Sequence, residues 1–411
     1  MAAVAGLRGT GDWGADERPK NFREMIMWRN PNGVTPLFAL MSKVGKQSTS
    51  DYEFNWWDEP VTIIRLQVNF AAGYGAGDTL ITVDTADPST SAPELAWGNA
   101  THLTEGDILM VEPANEANWA TTEYLKVVSV QSATQFTVLR GQLGSAAAAI
   151  ADDRFLLKVG SAFGDGTSEP KATSRNPVKY TNFTQIFKTT YDITGRAVNT
   201  TIRTGDPLAN EKKRRSTDHS KDIEFAMMFG RKSESIDSNG KVISTTDGLR
   251  RQIPSDTTTI FGGALTVNSF LDAAYKVFNW ESDAGNSRVM LCGNGALNIM
   301  NKTFRGDTNT EIQFMGKMKQ YGMEMMEVGL PQGSLYLKTH PLMNRHATYT
   351  NAAFLVDFSA LKWRPMKGRD TKFNDNIQNK GEDAQRGYWM TDAGLQVLYG
   401  GLTCGYLGNF Q

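Results

Sequence analysis

Between positions 73 and 161 short β-branched runs recur about every ten residues, at 79–83, 107–111, 124–130, 136–139 and 155–159. Turn signals separate them at Gly77-Asp78, Glu105-Gly106 and Arg140-Gly141. Such even spacing predicts a small antiparallel sandwich or barrel. On either side the texture changes: 52–70 is β-like, with Trp56-Trp57 followed by VTIIRLQVNF, and strand texture resumes at Val178 and runs to Arg203. The stretch 73–161 therefore reads as an all-β domain inserted into another unit.

The remainder mixes α and β. Asp206-Pro207 places an N-cap before a proline at the first helical position, opening a long helix over 207–231. Its first half is charged, with Glu211/Arg215 and Arg214/Asp218 at i,i+4; its second half, IEFAMMF, is apolar. Asn239-Gly240 between Ser235-Ile236 and Val242-Ile243 predicts a hairpin with a type I′ turn. Residues 266–280 form an amphipathic helix with Val267, Phe270, Leu271, Ala274, Val277 and Phe278 on one face and a Ser269/Asp272 capping box. A strand at 288–292, a Gly293-Asn294-Gly295 turn and a helix bearing Leu297, Met300 and Phe304 follow, then strands at 334–339, 353–358 and 395–402. By contrast, 1–50 is rich in Gly, Pro and Asn around two short apolar pieces, 22–28 and 34–44. Neither can bury itself, so each needs a surface from the body or from a neighbour.

Composition excludes whole classes. At 411 residues the chain predicts two or three units. Lys plus Arg number 43 against 44 Asp plus Glu, so no global field recruits nucleic acid or anionic lipid. Two cysteines, Cys292 and Cys404, exclude a disulfide framework and a thiolate zinc site. No signal peptide and no run of about 18 apolar residues occurs, which predicts a cytosolic product without a membrane segment.

Chemical motifs fail on context. Gly9-Thr10-Gly11-Asp12-Trp13-Gly14 has the dinucleotide spacing but no preceding strand. The strand-turn-helix unit at 288–304 lacks the third glycine of a phosphate loop. His102, His219, His340 and His346 are scattered, and His340 has no acidic or cysteine neighbour in sequence. Asp58 and Glu59 in Trp56-Trp57-Asp58-Glu59 would face opposite sides of a strand, against a glycosidase pair. The basic cluster 212–215 has acids interleaved at pairing distance and reads as a solvated or inter-subunit face. No catalytic, metal or cofactor site emerges; arm, insert and charged helix describe a chain made to touch copies of itself.

The run GTGDWGADERPKNFREMIMW at 9–28 with Arg29-Asn30-Pro31-Asn32-Gly33, then Phe54-Asn55-Trp56-Trp57, resembles tailed-bacteriophage major capsid proteins of the Hong Kong 97-like fold. So do YTNFTQIFK at 180–188, Gly205-Asp206-Pro207, Gly230-Arg231-Lys232-Ser233 and Thr245-Thr246-Asp247-Gly248-Leu249. The resemblance implies an α+β fold with an N-terminal arm (1–51), extended-loop legs (52–72 and 162–203), the β insertion (73–161), a peripheral domain (204–254 and 361–411) carrying a spine helix, and an axial domain (255–360). It implies a virion protein, assembled in the host cytoplasm, whose partners are itself in hexamers and pentamers, a portal and a separate scaffolding protein, since no charged helical pro-segment precedes the arm. A decoration protein fits the same scheme, and the shell would enclose double-stranded DNA without sequence-specific binding. Candidate inter-subunit contacts are Phe22, Met25, Trp28, Trp56, Trp57, Phe183, Phe187, Arg214 and Arg215. Two other classes remain as expectations to test: a tail or receptor-binding protein with a carbohydrate-binding β domain, and a glycosidase using Asp58 or Glu59.

Overall fold

The computed structural model describes Leu37 and residues 45–59, 64–84, 99–172, 177–202, 205–280, 282–306, 314–320 and 323–411. The evenly spaced runs form one six-stranded antiparallel sheet, in the order Arg65–Gln67, Phe155–Ser161, Asp107–Val111, Tyr124–Val130, Gln135–Leu139, Leu80–Thr82. Alternation sends Leu109, Leu125, Val127, Phe136, Val138 and Leu156 into a core of their own. Its polar hub is Glu123, nearly fully buried, which accepts Arg140 Nε and Nη2 at 2.8 Å each and the amides of Gly141 (3.0 Å) and Ala148 (3.1 Å). Arg140 in turn donates to the carbonyls of Gly75, Asp78 and Ala148.

This sheet begins earlier than the turn at Gly77 suggests. Arg65–Gln67, expected in a flanking strand, pairs with Phe155–Ser161, and Ile64, Leu66 and Val68 belong to the module's core. Leu66 and Val68 alternate with polar Arg65 and Gln67, and Arg65 grips Glu112 through two nitrogens at 2.7 and 2.6 Å. The segments outside the module, Glu53–Asp58 and Val178–Phe183, pair with each other as an antiparallel ribbon, Trp56 opposite Tyr180 and Asp58 opposite Val178.

Two further sheets build the body. The 14-residue strand Ala384–Val397 pairs along its first ten residues with Gln185–Thr194, and also with Lys372–Asn374 and Leu361–Pro365. A seven-stranded mixed sheet runs Thr258–Ile260, Gly405–Gly408, Ala353–Val356, Ser287–Cys292, Gly333–Thr339, Met323–Leu330, Phe314–Gln320. Both faces of its central strands are covered, so they read as unbroken apolar runs rather than alternating ones. Val289, Leu291, Phe354 and Val356 face a core shared with Ile223, Met227 and Met228 of the long helix Pro207–Phe229. Met290, Cys292, Ala353 and Leu355 face a second core with Phe270, Ala274, Met300 and Phe304 of the helices Val267–Ala274 and Asn294–Gly306.

Local capping and turn chemistry shapes the element ends. Asp206 caps the long helix through the Leu208 amide at 2.9 Å. The capping box at the next long amphipathic helix is Thr266/Ser269, one turn ahead of the expected Ser269/Asp272, with reciprocal bonds of 3.1 and 3.0 Å. The hairpin Ser233–Ile236/Val242–Thr245 has a five-residue connection instead of a two-residue type I′ turn. Asp237 accepts the amides of Asn239 and Lys241 at 2.8 Å each, and Gly240 alone in that loop takes a positive φ of 73°.

Candidate functional site

For a chain without catalytic motifs, the functional question is which surfaces its own body leaves unsatisfied. In the ribbon, adjacent tryptophans part company, as neighbours on a strand must. Trp56 is buried, stacked between Phe54 (6.0 Å) and Tyr180 (5.8 Å), so it is spent within its own subunit. Trp57 points outward and is 59% exposed. Phe187 is buried as well: the alternation of Gln185–Thr194 turns Phe187 and Tyr191 inward and Ile186 out. Phe183 is half-buried against Tyr52, with ring centroids 5.9 Å apart. Phe22, Met25, Trp28 and the Gly9–Gly14 motif lie outside the described residues.

The helix face carrying Arg214 and Arg215 is wet. Glu211 meets Arg214 at 3.0 Å and Arg215 at 3.6 Å, and Asp218 meets Arg215 at 3.9 Å and Lys221 at 3.3 Å. Lys212 is held otherwise, by Asp375 at 2.6 Å and over the rings of Tyr191 and Phe373, while the Tyr191 hydroxyl bonds the same carboxylate. That hydrogen bond to Asp375 raises the Lys212 pKa, which suits a fixed ion pair rather than an open phosphate site.

The hairpin 233–245 exposes apolar side chains on both of its faces. Ile236 is 72% exposed and its cross-strand partner Val242 52%, with Ile243 on the opposite face at 48%. Its base is fixed: Ser244 Oγ donates to the Thr184 carbonyl at 2.6 Å and Tyr52 Oη to Glu234 at 3.1 Å.

Asp58 and Glu59 do not converge. Asp58 Oδ2 accepts the Gly400 amide at 2.7 Å, and Glu59 is exposed. Burial pushes the Asp58 carboxyl up, partly countered by the Gly400 and Tyr399 amides. Tyr399, Gly400 and Gly401 all take positive φ (56°, 56° and 76°), a concave turn that presents those amides to the carboxylate. His219 is buried between the hydroxyls of Thr189 (3.1 Å) and Thr391 (2.8 Å), and burial lowers its pKa. Burial also pushes the Cys404 thiol up to about 12, which leaves it unreactive. Among the described residues no group of three or more His, Cys, Asp or Glu could hold a metal. No helix among them is long and apolar enough to cross a membrane.

Sequence reasoning missed two buried polar centres. His340, expected to lack an acidic neighbour, bonds Glu224 at 2.8 Å, both fully buried. Arg288 is buried and donates to the carbonyls of Thr403, Gly285, Ser287, Val277 and Trp280 at 2.8–3.4 Å. The His340 pairing spans 116 positions, and no local pattern carries it.

A family model described as SU10 major capsid protein matches residues 7–407. The chain belongs to the SU10 major capsid protein family. Its members are structural subunits, so this capsid protein is not an enzyme, and the glycosidase and tail-protein readings fall away together. The major capsid protein of Pseudomonas phage PaMx41 is 28% identical over 420 residues, covering 97% of this chain and 94% of that one. Among solved structures, one from Microbacterium phage Oxtober96 gives 8% identity, 96% coverage of both chains and a TM-score of 0.44. The capsid of Myoviridae phage XM1 gives 12% identity, 61% and 81% coverage and a TM-score of 0.39. As a major capsid protein, this chain is a virion component that builds the shell from copies of itself.

Proposed function

We propose that the subunit assembles as hexamers and pentamers into an icosahedral, Hong Kong 97-like head that encloses double-stranded DNA. The observation that carries this reading is the match to a major capsid family along almost the whole chain. In this scheme 1–51 is an arm reaching a neighbour, the Glu53–Asp58/Val178–Phe183 ribbon is the root of the extended loop, and Pro207–Phe229 is the spine helix. The unit around Ala384–Val397 is peripheral and the seven-stranded sheet axial. Trp57 and the hairpin tip support self-assembly, because each leaves apolar surface that the described residues do not cover and a neighbouring copy can. A near-zero charge sum suits a wall that does not grip its contents. Assembly in the host cytoplasm would draw on a separate scaffolding protein and a portal, with the β module available to a decoration protein.

The test is electron microscopy of the protein expressed with candidate scaffolds. Closed shells or free hexamers are expected, and deletion of 1–36, which spares Leu37 in the core, should stop assembly while leaving a folded body. A persistent monomer or trimer under all assembly conditions refutes the scheme.

A further inference from the structure

Three distant parts of the chain meet at one oxygen beneath the long helix. Glu224 Oε1 accepts the backbone N–H of Leu37 at 2.8 Å and contacts His340 Nε2 at 2.8 Å, and all three residues are fully buried. The Met343 amide donates to the His340 carbonyl at 3.1 Å and lies 3.4 Å from Nδ1, an arrangement that matches Nε2 carrying the hydrogen toward Glu224. The Leu37 side chain lies in the same core as Ile223, Met227, Met343 and Phe354.

A buried carboxylate is costly unless donors converge on it, and an apolar side chain would fill this place on the helix more cheaply. What the carboxylate adds is register. It reads a backbone N–H, not a side chain, and position 36 is proline, which has none to offer. A slip that brought position 36 to the socket would cost Glu224 Oε1 the backbone donor it has in Leu37.

We propose that Glu224 and His340 form a socket that locks the N-terminal segment into its own subunit at Leu37, setting the point from which residues 1–36 depart towards a neighbour. They are positioning residues for assembly, and this role rests on the arm reading above.

The test compares Glu224→Ala, Glu224→Gln and His340→Ala in the full chain. Limited proteolysis follows cleavage within residues 1–44, and hydrogen exchange follows the peptide containing Leu37 and those of the body. Glu224→Ala should speed cleavage about tenfold with the seven-stranded sheet unchanged. Glu224→Gln, whose amide oxygen can still accept from Leu37 and His340, should cleave more slowly than Glu224→Ala. Cleavage of Glu224→Ala at the parental rate overturns the socket, as does Glu224→Gln behaving like the alanine variant. Should the alanine variant not fold, the parent decides: the Leu37 amide must exchange as slowly as the central strands, and free exchange there overturns the proposal. Deletion of 1–36 tests the arm reading separately, because loss of the socket is read from proteolysis and exchange, and loss of the arm's role from shells that still form without it.

Discussion

Replacing Glu123 with alanine should melt the β module and spare the rest. The substitution removes a buried carboxylate that satisfies two guanidinium nitrogens and the amides of Gly141 and Ala148, and it leaves the Arg140 charge buried with only carbonyls for company. Breaking one partner of a buried pair typically costs about 3–5 kcal/mol. At about 1.4 kcal/mol per tenfold, local opening becomes roughly two to three and a half orders of magnitude more frequent. Hydrogen exchange on the intact chain reads this directly. Peptides from Tyr124–Val130 and Gln135–Leu139 should accelerate by that factor, while those from Ser287–Cys292 and Ala353–Val356, in other cores, keep their parental rates. Burial pushes the Glu123 carboxyl up, but the Arg140 hydrogen bonds and the two amides more than reverse this and hold it below the ordinary range. Its contribution is therefore present above the ordinary glutamate pKa and is lost as pH falls through the depressed folded value. The parent should show this acid loss in the module, and Glu123→Gln should not. Acceleration of less than about tenfold, or spread into the seven-stranded sheet, refutes the argument.

Other expectations follow from the same contacts. Arg288→Met strips donors from five carbonyls and should cost about 3–5 kcal/mol in urea unfolding followed by tryptophan fluorescence, with a loss under about 1 kcal/mol counting against the cage. Ile236→Asp with Val242→Asp should leave the melting temperature within a few degrees but abolish shells in electron microscopy, because both side chains already face water in the free subunit; normal shells would remove the hairpin from the contact set. For Asp58 the sign is opposite to Glu123: its raised folded pKa means stability from this group is present below the ordinary aspartate value and lost as pH rises through the folded value. Asp58→Asn keeps an oxygen for the Gly400 amide and should leave stability at neutral pH unchanged or slightly higher, measured by thermal unfolding at pH 5 and pH 8.

What the sequence disclosed follows from range. Strands such as Asp107–Val111 and Tyr124–Val130 are written in period-two alternation and turn residues, and the long helix in its Asp-Pro start, so local rules recover them. Within the expected leg 52–72, Leu66 and Val68 fit either a loop leg or a module strand, and only the pairing of Arg65–Gln67 with the strand at 155–161 decides. Aromatic residues near an expected edge, such as Trp56 and Phe187, can face either way in the sequence. One-residue alternation turned them inward and left Trp57 and Ile186 outside. The Glu224–His340 pair has no local signature, since its partners lie 116 positions apart, and the Arg288 cage, though mostly local, is closed by the Thr403 carbonyl that only the finished fold brings in.

The ribbon has a consequence of another kind. Since Asp58 sits opposite Val178, the chain leaves for the β module and comes back at adjacent points on neighbouring strands. Strands so paired lie about 5 Å apart, close enough for a short linker to bridge. The module is thus hung on a single doorway, and its replacement by a different folded unit with neighbouring termini need not disturb the threading of the body. Divergence can work on that one appendage, or a designer can exchange it, while the sheets that carry the rest of the chain keep their register.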